Sequence, residues 1–194
     1  MELAASQKLL ARLFTDSQLR NRFYADPVNV GAEFGLSPEA ASTLADVPES
    51  RVHDFAKSVR RQRREAVSRL LPGSSKCLGP VFGEAFRDYV LQNALPAEAQ
   101  AWFDAVSFGH FFRQWIQNRQ GVPSWQQELL TYESERLGFE HSRDLFNCRL
   151  SFFPGHRTAR RVSAGEIPAK VWPMPGLHIF WRWRRDGEMH ERLL

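Results

Sequence analysis

Two stretches decide how this chain is read: "DLFNCRLSFFPG", Asp144–Gly155, and "GLHIFWRWRR", Gly176–Arg185. In the first, Leu145, Asn147, Arg149 and Ser151 alternate with Phe146, Cys148, Leu150 and Phe152. In the second, Leu177, Ile179, Trp181 and Trp183 alternate with His178, Phe180, Arg182 and Arg184. A strict period of two, rich in aromatic and branched side chains, predicts β-strands. Asp186-Gly187 follows as a hairpin turn, and "EMHERLL" predicts a short returning strand. The Arg- and Pro-rich segment between the first two strands leaves room for one helical turn after Thr158.

Everything before Gly138 has the helical period instead. Leu3, Leu9, Leu10, Leu13 and Phe14 recur at helical spacing. Asp16 is placed to cap a second helix carrying Leu19, Phe23 and Tyr24. Pro27 suits a first helical turn and Gly35 a helix C-terminus, while Ser37 caps a helix that Pro38 opens. A long helix runs from Pro48-Glu49 to about Leu71, before Pro72, with a break at Gly73-Ser74-Ser75. Further helices are predicted over Pro80–Asn93, Pro96–Asn118 and Ser124–Leu137, the last capped by Ser124. The fold class is therefore α+β: a helical domain over 1–140, then a small antiparallel sheet domain over 141–194. So short a sheet region buries too little by itself and is expected to pack on helices.

Composition narrows the function classes. The chain has 194 residues, 43% of them hydrophobic, and a formal net charge of +4. Arginine carries most of the basic count, which suits bidentate and stacked contacts. Cys77 and Cys148 fit neither a zinc pattern nor a disulfide framework, and two reduced thiols suit a cytoplasmic protein. No apolar run has the length of a bilayer span, and the start lacks the marks of a signal peptide, so no membrane partner is expected. The six histidines show no metal-ligand spacing, and phosphate-loop, dinucleotide and nucleophile-elbow motifs are absent. An enzyme acting alone is thus disfavoured, and no catalytic or metal-ligating residue is assigned.

Two candidate surfaces remain. On the helix that includes "SVRRQRREAVSRLLP", Ser58–Pro72, an apolar stripe of Val52, Phe55, Ala56, Val59, Ala66, Val67 and Leu70 is flanked by Lys57, Arg60, Arg61 and Arg64. This basic ridge reads as a solvated face, as a docking ridge for an acidic partner, or as a nucleic-acid surface; with no reading-helix motif around it, nucleic acid is the weakest. Arg63 projects from the stripe itself and predicts a buried structural ion pair, with Glu84, Asp88 and Asp104 as the candidate acids. The second surface is the sheet. Leu177, Ile179, Trp181 and Trp183 are expected to cover the helical core. Phe180, Arg182, Arg184 and Phe152 are then left to meet an acidic peptide added along an open strand edge.

Several segments resemble a known family. These are Asp26-Pro27 with Gly35-Leu36, then Arg63, Val67, Leu71 and Pro72 at the end of the arginine helix, and the tail "PMPGLHIFWRWRR". Together they resemble the TglI-like partner subunits of multinuclear non-haem iron oxidative enzymes, which act in ribosomal peptide biosynthesis of the 3-thiaglutamate type. The methanobactin partner subunit MbnC is a looser analogue. The resemblance implies a non-catalytic partner that forms a heterodimer with a TIM-barrel iron enzyme. It implies a C-terminal part like a RiPP recognition element that recruits a ribosomal precursor or carrier peptide for cysteine modification. Iron is then expected in the partner and no cofactor in this chain. The alternative is a nucleic-acid-binding or regulatory protein that uses the ridge at 57–64.

Overall fold

The computed structural model describes residues 2–93 and 100–194. Their elements are mostly helices, followed by a three-stranded antiparallel sheet, so the fold class is α+β. The chain divides into two compact units, Met1–Arg64 with Val90–Leu95, and Glu65–Tyr89 with Pro96–Leu194.

The first unit is built from short, well-punctuated helices: α1 (Glu2–Thr15), α2 (Ser17–Ala25), α3 (Pro27–Glu33), α4 (Pro38–Ala45) and most of α5 (Glu49–Leu70). Asp16 caps α2 by accepting from the Leu19 amide at 2.9 Å, and Ser37 caps α4 by accepting from the Ala40 amide at 3.3 Å. Gly35 ends α3 at a φ of 80°, a conformation that costs glycine little. Leu9, Leu13, Leu19, Phe23, Val30 and Val52 form the core of this unit. Arg63 is buried, as its place in the stripe predicts, and it donates to the Asn93 carbonyl at 3.4 Å.

The second unit continues with α6 (Pro72–Leu78), α7 (Pro80–Gln92), α8 (Ala101–Trp115), a short 3-10 turn (Ile116–Asn118) and α9 (Ser124–His141). The expected break at Gly73-Ser75 is instead helix α6. Its first turn is held from outside, because the Glu133 carboxylate accepts from the Gly73 amide, the Ser74 amide and the Ser74 hydroxyl at 2.6–2.9 Å. Those donors would otherwise be orphaned at the helix start. The predicted helix start at Pro96 lies outside the described residues. Ser124 is the first residue of α9 rather than its cap; Pro123 holds the cap position and Ser124 makes no capping bond.

Phe82, Phe86, Tyr89 and Phe108 pack as tilted and edge-on rings between α7 and α8. α8 and α9 approach closely at Gly109, where an added Cβ would sit 2.4 Å from Ser134 Oγ. Strands β1 (Phe146–Ser151), β2 (Gly176–Trp181) and β3 (His190–Leu193) follow in the order β1-β2-β3, with α10 (Gly155–Ser163) between the first two. The register pairs Phe146 with Trp181, Arg149 with His178, and Phe180 with Glu191.

The two sheet faces are the reverse of the expected assignment. His178, Phe180 and Arg182 are buried, while Trp183 is 83% exposed and Phe146 and Leu150 are 60% and 64% exposed. Phe180 joins Trp125, Leu129, Tyr132, Phe139 and Val162 in the core of this unit. The reversal has a physical cause. The Arg182 guanidinium and the Glu191 carboxylate find hydrogen-bond partners there, which offsets much of the cost of burying them, while both ring nitrogens of His178 are buried without one. Alternation specifies two faces but not which of them is covered.

Candidate functional site

Strand β1 is an edge of the sheet, and its backbone polarity can be assigned. The Arg182 amide donates to the Leu145 carbonyl at 3.0 Å, while Leu177 exchanges both of its bonds with Leu194 at 3.0 Å. Antiparallel ladders alternate, so Asn147, Arg149 and Ser151 turn their backbone groups toward β2. Phe146, Cys148 and Leu150 turn theirs away from the sheet. Among the described residues, no backbone partner meets these outward groups. An edge of this kind is a template for another strand.

Two clefts border β1 against α8 and α9, and they share Arg149. One, of about 490 Å³, includes Phe112 and Arg113 of α8, Glu128 of α9, Ile116, Phe152 and Phe153. The other, of about 370 Å³, includes Val106 and His110 of α8, Glu135 of α9, and Asn147 and Cys148 of β1. Together they form a trough along the strand; at one end Phe112, Ile116, Phe152 and Phe153 supply apolar surface among Arg113, Gln117, Gln127 and Glu128, and the His110 end is polar.

Arg149 divides the trough and anchors it. Its guanidinium reaches Glu128 at 2.6 Å and Glu135 at 3.2 Å. These two acids lie seven residues apart, on one face of α9. Arg113 also reaches Glu135, at 3.4 Å, and contacts His110 Nδ1 at 2.5 Å. All four partly buried side chains lock β1 to α8 and α9, so the edge is held at a fixed place over the helices.

Beneath the other side of the sheet lies a buried polar network. The Tyr132 hydroxyl donates to Glu191, with contacts of 2.8 and 3.0 Å to its two oxygens, and His178 Nδ1 stands 3.8 Å from Glu191 Oε1. Burial, reinforced by the Glu191 charge, pushes the Tyr132 phenol well above its ordinary range. Burial also presses the Glu191 carboxyl upward, but His178, Tyr132, His156 and Arg136 outweigh it and hold this acid below its ordinary value. A third cleft, of about 490 Å³, opens over Tyr132, His156 and Glu191.

The residues singled out from the sequence fall in different places. Phe152 is 57% exposed and lines the apolar end of the trough. Arg184 is exposed, beyond the end of β2. Phe180 and Arg182 face inward, which corrects the expectation that they present a peptide-facing surface. The Arg182 guanidinium donates to the carbonyl oxygens of Phe139, Ser142 (3.3 Å) and Arg185 (3.2 Å), and it lies 4.7 Å over the Phe139 ring. It thus satisfies carbonyls at the C-terminal end of α9, where a cation is favoured. Lys57, Arg61 and Arg64 are exposed on α5 and Arg60 is half-buried; Lys57 pairs with Asp54 at 3.6 Å. Of the acids named for Arg63, Glu84 and Asp88 bind Arg119, and Asp104 accepts from Tyr89 at 2.7 Å.

Sequence reasoning missed Arg113, Glu128, Glu135 and Arg149. The seven-residue spacing of the two acids, with an arginine on the polar side of a predicted strand, was the available signal. It joins segments whose proximity only the fold reveals. Among the described residues, no three His, Cys, Asp or Glu side chains assemble as a metal-ligand set, and no helix is long and apolar enough to cross a membrane. A scan against protein-family models finds no match, and a search of curated proteins finds no relative of this sequence.

Proposed function

We propose that this chain is a non-catalytic partner subunit that binds an unstructured ribosomal peptide as an added strand on β1 and presents it to a TIM-barrel iron oxygenase. The observation that carries this reading is the outward-facing backbone of Phe146, Cys148 and Leu150 beside a trough walled by α8 and α9. An added strand would gain main-chain hydrogen bonds from that edge. Alternate side chains of the peptide would enter the trough, which gives specificity. Phe112, Ile116, Phe152 and Phe153 suit an apolar or aromatic residue at one end. The arginines near the middle already hold carboxylates, so selection by an apolar anchor replaces selection for an acidic peptide. Phe180 and Arg182 support the site from beneath. Iron is assigned to the partner on the strength of the family resemblance, and cysteine modification would take place there.

The test uses proline as a blocker. Proline on an edge strand is tolerated where its missing amide faces outward. Cys148→Pro therefore removes an outward donor and leaves the ladder to β2 intact. A peptide selected from a phage-displayed library of unstructured sequences is measured by fluorescence anisotropy. The expected result is a loss of affinity of about tenfold or more, equivalent to about 1.4 kcal/mol, with an unchanged circular dichroism spectrum. Equal affinity for the variant and the parent protein would contradict strand addition on β1.

A further inference from the structure

The outer face of the sheet is apolar and partly open: Phe146 and Leu150 are exposed, and Leu177, Ile179 and Trp181 are half-buried. Phe146 stands across from Trp181, Cys148 from Ile179 and Leu150 from Leu177, and these pairs occupy one face by register. His190 stacks on Trp181 with ring centroids 5.5 Å apart and extends the face onto β3. Trp183 follows β2 and is 83% exposed; Trp172, in the loop before β2, is 70% exposed, with Lys170 Nζ 3.9 Å over its ring. A contiguous exposed apolar surface on an ordered sheet marks an interaction site. Tryptophan and arginine together are the residue types most enriched at protein contacts.

Charge selects the occupant. Residues 141–194 contain ten Lys and Arg against five Asp and Glu, whereas residues 1–140 contain sixteen against seventeen. The net positive charge of the chain therefore resides in the sheet region. Arg184, Arg185, Arg192 and Lys170 are all exposed there, and none is in an ion pair among the described residues. We infer that the outer sheet face is a docking surface for a folded protein whose contact patch is apolar and bordered by Asp and Glu. A second copy of this chain would bring like charges together.

This surface is where the enzyme partner of the proposed function would dock, and to that extent the inference rests on that reading. Because β1 is shared, the peptide edge and the docking face adjoin, and a bound peptide would lie at the partner's surface.

The test places the photocrosslinker benzoylphenylalanine at Leu150 or Trp183 in the full chain, with Val28 as an exposed control in the first unit. Crosslinking is done in cells of the source organism, and the joined peptides are mapped by mass spectrometry. The inference predicts crosslinks to an apolar patch flanked by acids on one folded protein. It also predicts that Arg184→Glu combined with Arg192→Glu lowers their yield about tenfold. Crosslinks to a second copy, crosslinks to lipid, or a yield no greater than at Val28 would each overturn it. Arg184→Glu combined with Arg192→Glu should leave peptide affinity in the anisotropy assay unchanged, because neither side chain enters the trough beside β1, so a failure of docking and a failure of peptide binding are read separately.

Discussion

The two faces of the C-terminal sheet differ in a way that hydrophobicity alone does not anticipate. The inner face carries His178, Phe180, Arg182 and Glu191, and it is covered. The outer face carries Phe146, Leu150, Ile179 and Trp181 and is open to varying degrees. An isolated sheet would bury the second set, because apolar burial is favourable and a guanidinium is costly to desolvate. Within the inner set, Arg182 and Glu191 are held because their partners are already built. Three carbonyls receive Arg182, and Tyr132 donates to Glu191. The apolar face is thereby left available for another protein. Specific polar pairing on one side of a sheet can thus determine what the other side recognises.

The most severe way to break this comparison is to remove the arginine that fixes the inner face. Arg182→Ala leaves the Ser142 and Arg185 carbonyls without this donor and removes the guanidinium packed over Phe139, and we expect a loss of about 3 kcal/mol of stability. Arg184→Ala, on the exposed side, should change stability by less than about 0.5 kcal/mol. Urea unfolding of both variants checks the contrast; equal effects would erase it. Glu191→Gln sharpens the same comparison with a smaller effect, about 1 kcal/mol at neutral pH. The sign with pH is fixed. Glu191 is held below its ordinary value of 4.5, so it stabilises the fold above that pH, and the contribution is lost as pH falls through the lower folded value. Acid titration followed by circular dichroism should therefore fall less steeply below pH 4.5 for Glu191→Gln than for the parent.

Much of the fold was legible because its signals are local. Asp16, Pro27, Gly35, Ser37 and Pro38 each mark a helix end through their own backbone or side-chain chemistry, and each does so in the structure. The strands were legible from their alternation. What was not legible depends on distant partners. α6 follows a proline and runs through Gly73, and its start is held by Glu133, some sixty residues later. The inward turn of Phe180 and Arg182 depends on where α9 ends. The trough depends on Glu128 and Glu135 meeting Arg149 from another element. From the sequence, the candidate peptide surface lay on Phe152, Phe180, Arg182 and Arg184; the structure turns Phe180 and Arg182 inward and leaves Phe152 and Arg184 exposed. The edge that carries the proposal is β1.

The most direct measurement is amide hydrogen exchange along β1 in the free protein, read residue by residue. The account predicts fast exchange at Phe146, Cys148 and Leu150, because their amides face outward from the sheet. Asn147, Arg149 and Ser151 should be protected by their bonds to β2. Equal protection at all six would show that the edge is already occupied and would contradict the open strand on which the proposed function depends.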